Sequence, residues 1–242
     1  MKYPIITQKD FTVKEMAARI DHSLLVPYAT QNDVRGFIEE VKKYGFKIAC
    51  LNNSYTELGV KLLEGYDAKV ATVIAFPFGA LTPDNKALEV ENAIKMGAGT
   101  VDMVINIGAI KSADWELAYR DMATCAERAH KYGVTIKAII ETCYLTREEK
   151  IKACEIAVEA GMDFVKSSTG FGVSGYNSLG WLGDIKLMKD VVGDRLGVKA
   201  AGPIPDYETA CALIHTGAER VGSRVGVNIL KGCPDWENYA NL

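Results

Sequence analysis

The sequence predicts an α/β fold in which eight parallel strands alternate with helices, and three observations support this prediction. Short runs rich in β-branched and other apolar residues recur along the chain, with longer helix-type segments between them. Helix start and stop signals fall between these runs. No linker, low-complexity tract or change of composition divides the 242 residues. About eight β/α units in a single domain, residues 1–242, is the count of a (β/α)8 TIM barrel.

The candidate strands are short apolar runs bounded by glycine or polar residues. In chain order the candidates lie at residues 18–25, 47–51, 69–76, 100–106, 135–142, 164–169, 197–202 and 220–223.

Helix boundaries are marked by capping residues and glycines. Thr82 followed by Pro83 predicts an N-cap and a first helical residue, and TREE (146–149) predicts a capping box. Glycine readily ends a helix because it adopts left-handed backbone angles without a steric penalty. Glycines stand where six helices are expected to end: Gly45, Gly65, Gly97, Gly133, Gly161 and Gly217.

A doubly wound open sheet is the alternative architecture for alternating strands and helices. It usually has fewer β/α units and a glycine-rich phosphate-binding turn near the start of the chain. No such turn is found in the first part of this sequence. The barrel is therefore the favoured prediction.

Composition and charge argue against several classes of function. The net charge is −3 and no basic run stands out, so we expect no nucleic-acid partner. The segment MKYPIITQKDF (1–11) lacks the apolar core of a signal peptide, and no apolar run approaches membrane-spanning length. We therefore expect a cytoplasmic protein with no membrane partner.

Cysteine and histidine usage also limits the chemistry. The six cysteines are scattered without a C-x-x-C pair, which favours reduced thiols over a disulfide framework. The three histidines, His22, His130 and His215, lack the spacing of metal ligands. We expect neither a metal site nor a cofactor.

Strand alternation predicts which charged side chains face the barrel interior. In residues 135–141, the apolar positions 136, 138 and 140 suit packing beneath helices, which turns Lys137 inward. The same parity turns Asp102 inward, and it does the same for Lys166 and Lys199. Lys166 lies in DFVKSSTGFG (163–172), a buried strand that runs into a loop of hydroxyl residues and glycine.

Each of these charges has an ordinary structural explanation. A single strand lysine usually reaches water from the strand end, and one inward aspartate can be an ion-pair partner. Three lysines and an aspartate in one interior are harder to explain, because buried charges of like sign oppose one another. Asp102, Lys137, Lys166 and Lys199 are therefore predicted to form a functional site.

A lysine acts as a nucleophile only when its amine is neutral. Moving a lysine pKa from roughly 10.4 to about 7 takes about 4.6 kcal/mol, which partial desolvation and a second nearby ammonium can supply. The amine then forms a Schiff base with a carbonyl, and the Schiff base stabilises the carbanion left when an adjacent C–C bond breaks. A carboxylate such as Asp102 would shuttle the protons.

Six motifs resemble those of the deoxyribose-phosphate aldolase family over nearly the whole chain, and their order and spacing make the match specific. The resemblance implies a class I aldolase on a (β/α)8 barrel that reversibly cleaves 2-deoxy-D-ribose 5-phosphate to acetaldehyde and D-glyceraldehyde 3-phosphate. It also implies a homo-oligomer, a dimer or larger. The motifs are IDHSLLVPYAT (20–30), KVATVIAFPFGA (69–80), VDMVINIGAIKS (101–112), IKAIIETCYLT (136–146), DFVKSSTGF (163–171) and GVKAAG (197–202).

The resemblance assigns a role to each residue of the predicted cluster. Lys166 would form the Schiff base, and Lys199 would be the neighbouring cation that favours its neutral amine. Asp102 would be the proton shuttle, with Lys137 in its hydrogen-bond relay.

The same resemblance names residues expected to contact the substrate. Asp21 and Ser23 would face the substrate's hydroxyl end, although the family often has threonine at the second position. Cys50 would lie near the aldehyde. Further substrate contacts are expected from the loops after the later strands, at Thr169, Gly170, Gly202, Gly222, Ser223 and Arg224.

The loops that bind phosphate in this family are altered here. Such barrels commonly bind phosphate with the loops after strands seven and eight, where the family usually reads SGGIRT and GTSSG. This chain has AGPIPD (201–206) and GSRVG (222–226) instead. Pro203 has no N–H to donate, Pro205 stands where arginine is frequent, and Arg224 replaces a serine.

Two interpretations of Arg224 stay open. Arg224 follows Gly222 and Ser223 at the predicted start of the last helix, where backbone donors and the helix dipole favour an anion. Its planar guanidinium would then restore binding of a phosphate or carboxylate. Alternatively, Arg224 forms an ion pair elsewhere and the pocket has lost its phosphate-binding site.

A further departure from the family is GVSGYNSLGWLGD (172–184), which adds Tyr176 and Trp181 in a loop of unassigned role.

Three functions remain in competition. The first is deoxyribose-phosphate aldolase itself, and the second is a Schiff-base aldolase of the same family acting on a different phosphorylated or acidic sugar. The third is a non-catalytic ligand-binding barrel, against which the intact Lys166, Lys199 and Asp102 argue. An isomerase on this fold would need a carboxylate base, for which Glu141 is the inward candidate.

Overall fold

The computed structural model of the chain is a closed barrel of eight parallel strands, which confirms the predicted fold class. It describes residues 11–173 and 178–239, with side chains omitted for residues 178–181. Neighbours in the barrel follow chain order, and the last strand pairs with the first. Each strand is followed by at least one helix, as parallel pairing requires.

All eight predicted strands are present, but several end earlier than the apolar runs suggest. The strand predicted to residue 142 ends at 139, and the strand predicted to residue 169 ends at 166. The residues beyond these ends form the loops of one barrel rim. The strands are β1 (Ile20–Leu24), β2 (Ile48–Leu51), β3 (Lys69–Ile74), β4 (Thr100–Val104), β5 (Thr135–Ile139), β6 (Phe164–Lys166), β7 (Gly197–Ala201) and β8 (Arg220–Ser223).

The helices surround the barrel, and their termini match the predicted signals. Thr146 and Glu149 form the expected capping box, and Pro83 opens its helix after Thr82. Gly45 ends a helix at φ 72°, in the left-handed region. The helices are α1 (Val13–Arg19), α2 (Gln31–Tyr44), α3 (Thr56–Leu62), α4 (Pro83–Lys95), α5 (Ile107–Lys111), α6 (Trp115–His130), α7 (Arg147–Glu159), α8 (Ser178–Val192), α9 (Tyr207–His215) and α10 (Gly226–Leu230).

The main hydrophobic core lies between the strands and the helices. On β5 and just beyond it, Ile136, Ala138 and Ile140 are fully buried, as the alternation predicts. Burial of one such isoleucine side chain contributes about 1.5–3 kcal/mol. Packing of this face fixes the direction of the opposite one, so residues of the other parity project into the barrel.

A buried ion pair joins α4 and α6 outside the barrel. Lys86 Nζ lies 2.8 Å from Asp121 Oδ2, and both side chains are fully buried. Lys86 also donates to the Val104 carbonyl at the end of β4, and the Asn106 N–H donates to the same carboxylate oxygen. The pair therefore ties two helices to the end of the strand that carries Asp102.

The six cysteines are free thiols, five of them buried.

Within residues 11–173 and 178–239, no helix is both long and apolar enough to cross a membrane.

Candidate active site

Four charged side chains predicted to face inward meet inside the barrel around the carboxylate of Asp102. Lys166 Nζ lies 2.9 Å from Asp102 Oδ2, and Lys199 Nζ lies 2.6 Å from the same oxygen. Lys137 Nζ lies 3.0 Å from Oδ1 and donates to the Thr100 hydroxyl at 2.6 Å. All four predicted residues are 3% exposed or less. The predicted juxtaposition is thus confirmed, and we call these four residues the central cluster.

Barrel register explains why these side chains converge. Asp102 is aligned with Lys137 across β4 and β5, and Lys166 is aligned with Lys199 across β6 and β7. Residues aligned across neighbouring strands face the same side of the sheet. The two lysine Nζ atoms can be no more than 5.5 Å apart, the sum of their distances to the shared Asp102 oxygen.

The cluster extends to two residues on the strands that close the barrel. Lys199 Nζ lies 2.5 Å from Asp21 Oδ2, and Arg220 Nε donates to Asp21 Oδ1 at 2.6 Å. Asp21 was expected at the substrate's hydroxyl end, but its fully buried carboxylate is occupied by these two cations. Sequence reasoning missed Arg220, although its parity with Gly222 on β8 could have indicated an inward side chain.

The pKa values of both carboxylates follow from this arrangement. Burial by itself would raise the pKa of Asp102, but Lys137, Lys166 and Lys199 outweigh it and hold the pKa well below its usual range. Asp21 is affected in the same way, chiefly by Lys199, and its pKa is also lowered. Both groups are therefore ionised at neutral pH.

Lys199 is held in its charged form by two carboxylates. Burial would lower the pKa of Lys199, yet the carboxylates of Asp102 and Asp21 reverse this and raise the pKa above its usual value. A glycine in the adjacent strand provides space for this side chain, because a Cβ at Gly222 would lie 3.1 Å from Lys199 Cε. Gly222 therefore serves the cluster as well as the cavity wall.

A cavity of about 770 Å³ opens at the carboxyl ends of the strands, above this cluster. Among the central four, Lys166 and Lys199 line it, whereas Asp102 and Lys137 do not belong to its described lining. All the predicted substrate contacts do line it. These are Asp21, Ser23, Cys50, Thr169, Gly170, Gly202, Gly222, Ser223 and Arg224.

Cys50 lies on the cavity wall, within the electrostatic reach of the cluster. It is 1% exposed, and burial, which outweighs the nearby cation of Lys199, raises the pKa of its thiol to about 11. The thiol is therefore protonated at neutral pH and carries no charge into the cavity.

Glu141 does not take the inward position that strand alternation predicted. β5 ends at Ile139, and Glu141 adopts a left-handed backbone with φ 50°, so the two-residue alternation no longer applies to it. Its carboxylate accepts hydrogen bonds from the N–H and the hydroxyl of Thr169. Glu141 lines a separate cavity of about 260 Å³ with Phe78 and Tyr144, and it is no part of the main cavity's described lining.

The altered loops after β7 and β8 border the main cavity. Pro203, Pro205 and Arg224 all line it, as does Ile204 between the prolines. The prediction that Arg224 lies at the start of a helix needs correction. The helix α10 begins at Gly226 and has only five residues, so it offers little dipole to an anion.

The predicted loop over residues 172–184 is also partly wrong, because α8 begins at Ser178. Tyr176 lies outside the described residues. Trp181 belongs to α8, and its side chain is not among those described.

One wall of the cavity was not anticipated from the sequence. Helix α2 contributes Asn32, Asp33, Gly36 and Glu40 to the lining. The carboxylate of Glu40 lies 3.1 Å from His22 Nε2. Alternation identifies inward strand residues but does not say which helix borders the barrel mouth, so this acidic wall had no clear signal.

Within the described part of the chain, no group of three or more His, Cys, Asp or Glu side chains is placed to bind a metal ion. The buried charges of the central cluster are instead one carboxylate, that of Asp102, and three lysines.

Comparison with known proteins gives a consistent result. The family model "DeoC/LacD family aldolase" matches residues 15–231. The deoxyribose-phosphate aldolase of Thermococcus kodakarensis is 47% identical over 224 residues, which cover 92% of this chain and 98% of that protein. The residues that the family model matches include the first and last strands of the barrel and the whole central cluster.

Solved structures agree with the sequence match. A putative deoxyribose-phosphate aldolase from Coccidioides immitis superposes with a TM-score of 0.86 at 31% identity, covering 96% of this chain and 87% of that one. Deoxyribose phosphate aldolase from Aeropyrum pernix, described as a unique tetrameric structure, gives 0.82 at 29% identity, covering 91% of each chain. The chain therefore belongs to the DeoC/LacD aldolase family and is a lyase of the class I aldolase type.

Proposed function

We propose that this aldolase reversibly cleaves a 2-deoxyaldose to acetaldehyde and a shorter aldehyde through a Schiff base on Lys166. The reference substrate is 2-deoxy-D-ribose 5-phosphate, which would give D-glyceraldehyde 3-phosphate. One observation carries the proposal. Among the described residues, four cationic side chains contact two carboxylates, those of Asp21 and Asp102, and one of these cations, Lys166, faces the cavity. The four cations are Lys137, Lys166, Lys199 and Arg220.

The choice of Lys166 follows from the partners of the four cations. Arginine does not deprotonate in proteins, and Lys199 is held by two carboxylates that raise its pKa. Lys137 donates to Thr100 as well as contacting Asp102, and it is absent from the described cavity lining. Lys166 shares one oxygen of Asp102 with Lys199 and lines the cavity. Release of its proton relieves the excess positive charge.

The proposed cleavage begins at the amine of Lys166. The neutral amine of Lys166 adds to the aldehyde carbon C1 of the sugar, and loss of water gives the protonated Schiff base. A base removes the proton of the C3 hydroxyl, the C2–C3 bond breaks, and its electron pair forms an enamine with C1 and C2. The shorter aldehyde leaves. Protonation at C2 and hydrolysis release acetaldehyde and restore the lysine.

Asp102 is placed to manage the protons of these steps. Its low pKa in the resting site makes it a weak base while three ammonium groups surround it. When Lys166 becomes the neutral carbinolamine, one of these cations is lost and the carboxylate becomes more basic. Lys137, against the other carboxylate oxygen, would keep Asp102 in position, and Lys199 would remain the fixed cation.

The rival functions fit the geometry less well. A binding protein has no need for a surplus of buried cations, because such a surplus opposes folding. The isomerase base Glu141 accepts hydrogen bonds from Thr169 and lines the other cavity. A Schiff-base aldolase with a different sugar remains the second candidate, because Pro203, Pro205 and Arg224 alter the cavity rim.

Borohydride trapping tests the proposal directly. Incubation with acetaldehyde and sodium borohydride should add a reduced two-carbon group to Lys166, detected by peptide mass spectrometry. Lys86, buried but paired outside the barrel, is the internal control and should stay unlabelled. A label on Lys137 or Lys199 in place of Lys166 would overturn the assignment.

The expected assembly is a homo-oligomer of two or more subunits, with a small sugar phosphate or a related aldehyde as the ligand. The tetrameric description of the Aeropyrum pernix relative is consistent with this expectation. Light scattering coupled to size exclusion would measure the subunit number.

A further inference from the structure

The main cavity is lined by an arginine, Arg224, that has no charged or hydrogen-bonding partner among the described residues. Arg224 lies just after β8, is exposed and lines the cavity. Its side chain makes no ion pair or hydrogen bond with any other described residue, so the alternative of an ion pair elsewhere is not supported there. A guanidinium that lines a substrate cavity without a partner can bind an anionic group of the substrate.

Three backbone N–H groups of the loop after β6 are not free to bind that anion. The N–H of Thr169 donates to Glu141 at 3.1 Å, that of Gly170 to the Ser168 hydroxyl at 2.9 Å, and that of Phe171 to the Thr169 hydroxyl at 2.9 Å. These three backbone donors are already bound within the chain. A phosphate in a barrel is normally held by a cradle of such N–H groups, and here this part of the cradle is occupied.

In the loops after β7 and β8, some possible donors are missing and others are already bound. Pro203 and Pro205 have no N–H. The Ser223 hydroxyl donates to the Ile204 carbonyl at 3.2 Å and accepts from the Val225 N–H at 3.1 Å. The two loops are therefore bound to each other through Ser223, which leaves neither its hydroxyl proton nor the Val225 N–H for a ligand.

The charges of the surrounding wall also select between anions. Asp33 and Glu40 of α2 line the same cavity as Arg224, so its described lining includes two carboxylates of this helix in addition to the guanidinium. A phosphate monoester carries about −1.5 to −2 charges at neutral pH and has three acceptor oxygens. A carboxylate carries one charge and two oxygens, which match one guanidinium fork.

We propose that Arg224 binds a terminal carboxylate of the substrate, so that the favoured substrate is a 2-deoxy sugar acid rather than a sugar phosphate. This inference rests on the proposed Schiff-base function and specifies its substrate class. Lys166 receives the aldehyde end of the sugar, and Arg224, which lines the same cavity, receives the carboxylate at the other end of the sugar.

Three matched substrates test this proposal by their common product, acetaldehyde. They are 2-deoxy-D-ribose with a C5 phosphate, with a C5 carboxylate and with the free C5 hydroxyl. The carboxylate substrate should show the highest kcat/KM, at least about 10-fold above the other two. Arg224→Ala should lower its kcat/KM roughly 10- to 150-fold, mainly through KM, and change the free sugar by less than about twofold.

Two further variants sharpen the test. Arg224→Lys keeps the charge but removes the planar fork, and it should recover only part of the loss with the carboxylate substrate. Arg35→Ala is the matched control, because Arg35 is an exposed arginine of α2 that is absent from the described cavity lining, and it should change none of the three substrates.

The outcomes separate this inference from the function on which it rests. A higher kcat/KM for the phosphate or the free sugar overturns the carboxylate proposal, and so does an equal loss with all three substrates in Arg224→Ala. In either case, a borohydride adduct on Lys166 would still support the aldolase function. Absence of acetaldehyde from every substrate, together with absence of a borohydride adduct, overturns both.

Discussion

The protein contains two buried lysine–aspartate arrangements that differ in stoichiometry and in what they face. Lys86 and Asp121 pair one to one between α4 and α6, at 2.8 Å, with backbone groups as further partners. Asp102 instead contacts three lysines inside the barrel, next to a cavity. Burial and pairing are common to both. The excess of cations and the access to a ligand distinguish the site that we propose for catalysis.

The electrostatics of the two arrangements differ in the same sense. At the Lys86–Asp121 pair, burial lowers the pKa of the lysine and raises that of the aspartate, so burial opposes both charges. In the central cluster the cations overcome burial, and the pKa of Asp102 is lowered. The outer pair is thus a structural contact between helices, whereas the cluster holds positive charge in excess.

The largest expected difference comes from replacing one lysine in each arrangement. Lys166→Met should reduce turnover by at least about 10⁴-fold with little loss of folded protein, because the nucleophile is removed. Lys86→Met leaves Asp121 buried without its partner, which should cost about 3–5 kcal/mol of the free energy of unfolding. Turnover assays and denaturant unfolding measure the two effects. Equal turnover losses per folded molecule would erase the distinction between the arrangements.

Asp102→Asn should have the next largest effect. The substitution keeps the size of the side chain but removes the proton acceptor, which among the described residues is the only carboxylate that contacts Lys137 and Lys166. We expect turnover to fall by roughly 10²-fold or more. Stopped-flow measurement of single turnovers would locate the loss in the proton-transfer steps. Wild-type turnover in this variant would show that another group carries the proton.

Lys199→Leu should have the smallest effect on turnover and the clearest effect on its pH dependence. Lys199 stays protonated at neutral pH and disfavours a second ammonium nearby, so its removal lets Lys166 keep its proton to higher pH. The rising limb of the pH–rate profile should move to higher pH. A profile that stays in place at near-full rate would mean that Lys199 has no electrostatic role.

The success of sequence reasoning varied with the regularity of the backbone. Within strands, alternation placed Asp102, Lys137, Lys166 and Lys199 correctly, because the packed apolar face fixes the opposite one. At Glu141 it failed, since the strand had ended two residues earlier and the backbone is left-handed. The side chains that matter there are set by loop hydrogen bonds, which have no period in the sequence.

Ion pairs between strands that are distant in the chain could not be predicted from the sequence either. Asp21 was assigned to the substrate by family resemblance, but its contacts with Lys199 and Arg220 depend on how β7, β8 and β1 align. The same holds for the wall contributed by α2, because its distance from the barrel mouth follows from loop geometry. Strand alternation identified the cluster and motif resemblance assigned its roles, whereas closure of the barrel determined which residues pair with it.

The contacts of Asp21 have a consequence for the order of events in folding. Arg220, Asp21, Lys199 and Asp102 form a chain of ion pairs that begins on the last strand, passes through the first and reaches the middle of the barrel. This chain cannot form until the two ends of the polypeptide have met at the β1–β8 seam. Recovery of activity during refolding should therefore coincide with closure of that seam and not precede it. Turnover measured during refolding would then report when the barrel closes.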